Sequence, residues 1–182
     1  MTNVFFLQAE DGIRDSPVTG VQTVLFRSAE HITFGDPDFF NGPKHGIRVI
    51  ETLSKRHPDI TYDVTIKVEH LLKHRELLPI LGETGCLFVT TAAESFDDEI
   101  LKILDKGHTR ADFSEVVEIC RKLDLNLAPT FLAFTPWTTL KTYLDFLKEI
   151  VHFDLISRVP VVQYSLRLLV PRGSLMLDQD AF

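Results

Sequence analysis

From residue 30 onward the chain switches between two spacings of apolar residues. A period near two, carried by β-branched and aromatic residues, marks strands. Apolar residues three and four apart mark helices. Residues 31–34, His-Ile-Thr-Phe, predict a short strand that stops at Gly35-Asp36-Pro37. In residues 44–56, Ile47, Ile50 and Leu53 stand at helical spacing behind Pro43, a residue suited to a first helical turn. Residues 60–68 are rich in Tyr, Val, Ile and Thr and predict a second strand. Residues 71–81 predict a short helix, with Pro79 ending it early. Residues 86–91, CLFVTT, predict a buried strand.

The pattern then repeats. Residues 97–104 predict a helix with Asp97 and Asp98 in the first turn, where the helix dipole favours acids, and with Gly107 beyond its end. Residues 111–123 predict another, capped by Thr109 or Ser114. Residues 128–134 predict a strand, and residues 138–152 a helix whose apolar stripe is Leu140, Tyr143, Leu144, Leu147, Ile150 and Val151. Residues 160–164 predict a last strand. Strand and helix alternating at this spacing predict βα units around a parallel sheet. A complete eight-stranded barrel takes about 250 residues. The expected fold class is therefore α/β: a partial parallel (βα) barrel of about five βα units, lacking the first.

Residues 5–28, FFLQAEDGIRDSPVTGVQTVLFRS, sustain neither period. Gln8, Glu10, Asp11, Arg14 and Asp15 interrupt the apolar middle that a signal peptide needs, and the acids do not suit a transit peptide. Residues 4–7 and 24–26 could at most make frayed strands. "QAEDGIRD" and "VTGVQT" look like translated sequencing-library adapter DNA: the codons CAA GCA GAA GAC GGC ATA CGA GAT spell Gln8 to Asp15, and "VLFRS" fits the end of the companion adapter in a shifted frame. Residues 1–28 are thus expected to be an artefactual or disordered segment, with the natural sequence starting near Ala29 and residues 29–182 forming the C-terminal part of the partial barrel.

Composition sets wide bounds. The 182 residues are 45% hydrophobic and include fourteen Phe, enough for a buried core. A net charge of −7 and the lack of a basic run argue against nucleic-acid partners. The two cysteines, Cys86 and Cys120, make neither a disulfide framework nor a CxxC metal site, so a cytoplasmic location is expected. No apolar run approaches the roughly twenty residues of a membrane span. Residues 169–174, LVPRGS, equal a thrombin cleavage site. No tag follows them and the preceding residues run into them smoothly, so they are expected to be native.

In such sheets ligands lie beyond the carboxyl ends of the strands. That rule selects Gly35, Asp36 and Asp38; then Lys67, Glu69 and His70; then Thr90, Thr91, Glu94 and Ser95; then Thr135, Pro136, Trp137 and Thr138; and last Gln163 and Arg167. Each group also has an ordinary structural role. Asp36-Pro37-Asp38 is good turn chemistry, Glu94-Ser95 can cap the next helix, and Trp137 can pack in the core. Asp36, Asp38, Glu69 and His70 have the residue types of a metal-dependent hydrolase or isomerase, without a familiar ligand spacing. The remaining histidines scatter, and Cys86 and Cys120 read as small core residues. A binding module without catalysis is the other alternative.

Three segments in order, "HITFGDPDFFNGP", "GCLFVTTAAESFDDEILKILDKGHT" and "LNLAPTFLAFTPWTT", resemble the radical S-adenosylmethionine (radical SAM) superfamily. The middle one is similar to that superfamily's fourth strand and following helix, G-C-x-x-V-x-x-x-x-E-S and then K-G-H/N-T. The resemblance implies that Gly35, Asp36 and Asp38 accept hydrogen bonds from the SAM amino group. It implies that Glu94 and Ser95 meet the ribose or the carboxylate end, that Phe134 and Trp137 flank the adenine, and that Lys67 and Glu69 reach SAM or substrate. It further implies a [4Fe–4S] cluster, a reductant for it, and a small-molecule or peptide substrate of unknown kind. Reductive cleavage of SAM there yields a 5′-deoxyadenosyl radical.

The cluster's three cysteines, C-x-x-x-C-x-x-C after the first strand, are absent from this chain, and Cys86 and Cys120 do not replace them. The parent protein is therefore expected to be a radical SAM enzyme. This chain is expected to be inactive, and poorly soluble through an exposed sheet edge.

Overall fold

The computed structural model describes residues 30–174, together with Phe6–Leu7 and Leu177. Four strands, β2 (His31–Phe34), β3 (Thr61–Thr65), β4 (Cys86–Glu94) and β5 (Leu127–Phe131), run parallel in sequence order. A two-residue strand β1 (Phe6–Leu7) pairs with Thr33 and Phe34 on the outer side of β2. It belongs to the stretch of residues 1–28 set apart above, the rest of which lies outside the described residues. Helices join consecutive strands: α1 (Pro43–Arg56); α2 (Val68–Lys73) with α3 (Leu78–Glu83); α4 (Asp98–Ile103) with α5 (Arg110–Lys122); and α6 (Leu140–His152) after β5. This is the expected α/β partial barrel with a parallel sheet. Among the described residues, no helix is long and apolar enough to cross a membrane.

Two elements differ from expectation. The predicted helix over residues 71–81 begins earlier, breaks at a 3₁₀ turn (Arg75–Leu77), and resumes as α3. Pro79 starts that second helix instead of ending the first, because its missing N–H falls where a first turn leaves donors unpaired anyway. Residues 160–164 form no strand. The chain closes a 3₁₀ turn (Val161–Ser165), with the Gln163 amide donating to the Pro160 carbonyl at 2.9 Å. The free edge of β5 is met by a side chain: Gln163 Oε1 accepts from the Phe131 amide at 2.7 Å. Farther on, a single parallel bridge joins Phe134 to Arg167.

The strands have two unlike faces. Ile32, Tyr62, Val64, Val89, Ala93, Leu127 and Phe131 are buried and join the helices in one apolar core. Their neighbours Thr33, Thr65, Phe88, Thr90, Ala92 and Thr130 alternate with them and are only half-buried. Residues 86–91 were expected to make a buried strand; in the structure β4 is buried on one face alone. The core's centre is aromatic. The Phe96 ring lies 4.8 Å from that of Phe131, 5.7 Å from those of Phe113 and Phe146, and 5.5 Å from that of Phe153. Burying one such ring stabilises by about 1.5–3 kcal/mol. Phe96 follows Glu94-Ser95 directly, so its burial fixes where the end of β4 points.

A charged rim at the carboxyl ends of the strands

The loop after β2 is an Asx turn: the Asp36 carboxylate accepts the Asp38 amide at 2.9 Å. The turn carries Asp38 inward, where its residue is only 6% exposed. Its carboxylate meets the end of β3. Oδ1 is 3.4 Å from the Lys67 amide, and Oδ2 is 3.9 Å from Lys67 Nζ. His70 Nδ1 lies 2.7 Å from Oδ2, out of line for a hydrogen bond. Lys67 Nζ is also 3.9 Å from Glu69 Oε1, and both side chains reach solvent. Gly35 is exposed beside them.

β4 ends on Glu94, whose φ of 61° is left-handed. Such a conformation costs a non-glycine residue on the order of 1–3 kcal/mol. The pairing register to β5 shifts between Ala92 and Glu94, which re-aims the strand's last side chain. Two bonds hold the conformation: the Glu94 carbonyl accepts from Leu132 N at 2.8 Å, and its Oε1 takes Lys106 Nζ at 2.8 Å. Ser95 Oγ accepts from Asp97 N at 3.0 Å, and Asp97 in turn caps α4.

Residues 106–108 come back to this end of the sheet. Buried His108 sets Nε2 3.3 Å from the Ala93 carbonyl and Nδ1 3.1 Å from that of Lys106, and a neutral ring donates to one of them. Gly107 has φ +67°, and a Cβ there would stand 2.8 Å from Glu69 Oε2, so the missing side chain leaves room for that carboxylate. The segment thus links Glu69 of one strand end to Glu94 of the next.

Asp38, Lys67, Glu69 and Glu94 therefore belong to one charged rim, with Gly35 and Asp36 at its edge. Ser95 spends its hydroxyl on the helix entry. Phe134 stacks on Tyr143 of α6 at 4.8 Å, and Trp137 sits half-buried in the turn closed by Thr138 N and the Thr135 carbonyl. These last residues stand at the end of β5, apart from the carboxylates. Sequence reasoning assigned no role to Lys106 or His108. Gly107 as a stop and Thr109 as a cap were visible, but the return of Lys106 to a residue twelve positions earlier has no sequence signal. Among the described residues, no three His, Cys, Asp or Glu side chains are placed to hold a metal ion, so Asp36, Asp38, Glu69 and His70 do not form the metal set of the hydrolase alternative.

The cysteines lie elsewhere. Burial pushes the Cys86 thiol up to about 12, with the nearby Asp63 charge adding to the effect, and burial pushes Cys120 up to about 11. Cys86 Sγ donates to the Phe88 carbonyl at 3.3 Å. Two protonated thiols, on a strand and on a helix, do not fit an iron–sulfur cluster.

No family model matches the chain. Bacteriochlorophyllide d C-8(2)-methyltransferase of Chlorobaculum tepidum is 33% identical over 97 residues, which are 52% of this chain and 20% of that protein. Among solved structures, the cobalamin-dependent S-adenosylmethionine radical enzyme OxsB matches 73% of this chain and 20% of its own, with TM-score 0.58 and 22% identity. The radical S-adenosylmethionine methyltransferase TsrM of Kitasatospora setae matches 72% of this chain and 27% of its own, with TM-score 0.59 and 17% identity. The fold is that of radical SAM enzymes. Coproporphyrinogen III oxidase (HemN) of Escherichia coli, a radical SAM enzyme, agrees: TM-score 0.59, 12% identity, 69% of this chain and 30% of its own. The chain spans about a fifth of its curated relative and less than a third of these solved chains. In the radical SAM fold the rim described above lies at the end of the sheet where parallel α/β folds bind their ligands.

Proposed function

We propose that this chain is the SAM-holding portion of a radical SAM enzyme, and that the cluster ligands of the whole protein come from residues outside it. The observation that carries the reading is the charged rim on a radical SAM fold: Asp38, Lys67, Glu69 and Glu94 brought together from three strand ends. Its chemistry suits SAM. Asp36, Asp38 and the exposed backbone at Gly35 accept from an ammonium group. Lys67 matches a carboxylate. Glu94 accepts from a sugar diol. Phe134 and Trp137 offer flat apolar surface toward an adenine, with one face of Phe134 already against Tyr143.

When bound, SAM and a [4Fe–4S] cluster supply a hydrogen-abstracting radical to such enzymes. The residues of this chain bind and orient SAM; its two thiols do not build the cluster. The curated relative and the OxsB and TsrM neighbours favour a cobalamin-using, methyl-transferring parent. The expected partners are a reductant and a small-molecule or peptide substrate.

Calorimetric titration of the full chain with SAM tests the reading. Binding is expected, and Glu94→Gln and Asp38→Asn should each weaken it about tenfold, the worth of one charge-assisted hydrogen bond. Anaerobic incubation with iron, sulfide and dithionite should give no 5′-deoxyadenosine. Unchanged affinity in both variants would overturn the reading.

A further inference from the structure

The half-buried face of the sheet is chemically unlike the inside of an ordinary parallel barrel, which bulky Val, Ile and Leu fill in layers. Asp63 lies on it opposite Phe88 and Thr33, and Thr65 lies opposite Thr90. Asp63 is 6% exposed, and its Oδ1 accepts two bonds, from Thr33 Oγ1 at 2.7 Å and from His31 Nε2 at 2.8 Å. The other nitrogen of His31 is 2.8 Å from Thr61 Oγ1. Asp63 Oδ2 takes part in none of these bonds. One step nearer the rim come Thr65 and Thr90, and one step further Thr130; all three are half-buried, and within the described residues their hydroxyls make no hydrogen bond. Ala92 and Ala128 beside them are small. Such a surface does not pack as an apolar core, and beyond the His31, Thr33 and Asp63 bonds it leaves its threonine hydroxyls unpaired. It runs from the charged rim back to the bonded His31 and Asp63.

We propose that this face is a binding surface for a small ligand rich in hydroxyl groups and bearing an ammonium or another hydrogen-bond donor, with Asp63 as its anchor and Thr65, Thr90 and Thr130 along its side. His31 and Thr33 hold the Asp63 carboxylate in place, so Oδ2 is presented without rearrangement. The threonine hydroxyls both donate and accept, which suits a polyol better than an apolar ring system. As a statement about the substrate, this rests on the reading of the rim as the place of SAM. As a statement about a binding face, it rests on the sheet alone.

Threonine-methyl NMR of the full chain tests it, with glucosamine as an ammonium-bearing polyol and indole as the apolar control. Glucosamine is expected to shift the methyls of Thr33, Thr65, Thr90 and Thr130 and to leave exterior Thr52 and Thr142 alone. Asp63→Asn should weaken the response about tenfold, as expected for loss of a charge-assisted bond. Thr90→Val, which keeps the shape and removes only the hydroxyl, should weaken it severalfold and covers the case in which Asp63→Asn does not fold. Silence of the inner threonines up to tens of millimolar, an equal response in Thr90→Val, or a response to indole in place of glucosamine would each overturn the proposal. Titration with SAM separates the two readings. SAM binding with silent inner threonines defeats the polyol face and leaves the rim. Glucosamine shifts without SAM binding leave the face and defeat the rim.

Discussion

Glu94 shows how single residues shape the rim. Its left-handed backbone is held by one carbonyl bond and by the Lys106 ammonium, which neutralises a carboxylate only 15% exposed. Lys106→Met would leave that charge without its partner. We expect a loss of about 1–3 kcal/mol in urea unfolding, with Lys106→Arg recovering most of it. Gly107 is the companion case. Gly107→Ala adds a Cβ at a positive φ and 2.8 Å from Glu69 Oε2, so the carboxylate must move. The expected cost is about 1 kcal/mol or more, read from the same melts. The cysteines give a chemical check. With thiols pushed up to about 12 and about 11, Cys86 and Cys120 carry almost no thiolate at pH near neutrality, and native protein should react with iodoacetamide far more slowly than urea-unfolded protein.

Among the elements, the starts of α1 at Pro43 and of α5 at Thr109 were legible. α5 and α6 each open on a capping box, Thr109 with Asp112 and Thr139 with Thr142, in which side chain and backbone satisfy each other. Thr109→Ala should cost about 1 kcal/mol by thermal or urea unfolding, and Thr139→Ala a similar amount. Local pattern marks β2 to β5 as strands, because period and β-branched content agree there. Two local signals pointed the wrong way. Pro79 looked like a stop, yet the preceding 3₁₀ turn had already ended α2, which left the proline free to begin α3. Residues 160–164 had strand composition, but the bonds a strand would need at the edge of β5 are taken partly by the Gln163 side chain. Propensity counts residues; it does not see which edge is left to pair with.

Across the whole molecule, stability rests on one aromatic cluster and on acids kept protonated. Phe113 is 1% exposed and touches Phe96, Phe131 and Phe153. Phe113→Ala should therefore cost about 3–5 kcal/mol and is the substitution most able to unfold the chain. The buried thiols set an alkaline limit. Their folded values, about 12 and about 11, stand above the ordinary 9.0. Their contribution is therefore complete below pH 9, where both states hold the proton. Above it the unfolded state binds fewer protons, and stability falls as pH rises toward the folded values. Tyr62, also raised by burial, adds to the loss in the same direction. Urea midpoints should fall steadily from pH 9 upward, and Cys120→Ala should flatten the slope.

The sequence by itself determined the βα order of β2 to β5, the Thr109 cap and the residues that stand at the ends of those four strands. Each of these follows from spacing and from bonds between near neighbours. It also determined that this chain has too few cysteines for a three-thiolate cluster. Only the tertiary structure decided which strand ends share one rim, that Lys106 returns to Glu94, and that one sheet face is polar and half-open with His31 and Asp63 bonded on it. Those outcomes depend on register and on contacts between residues far apart in the chain, and local pattern carries no record of either.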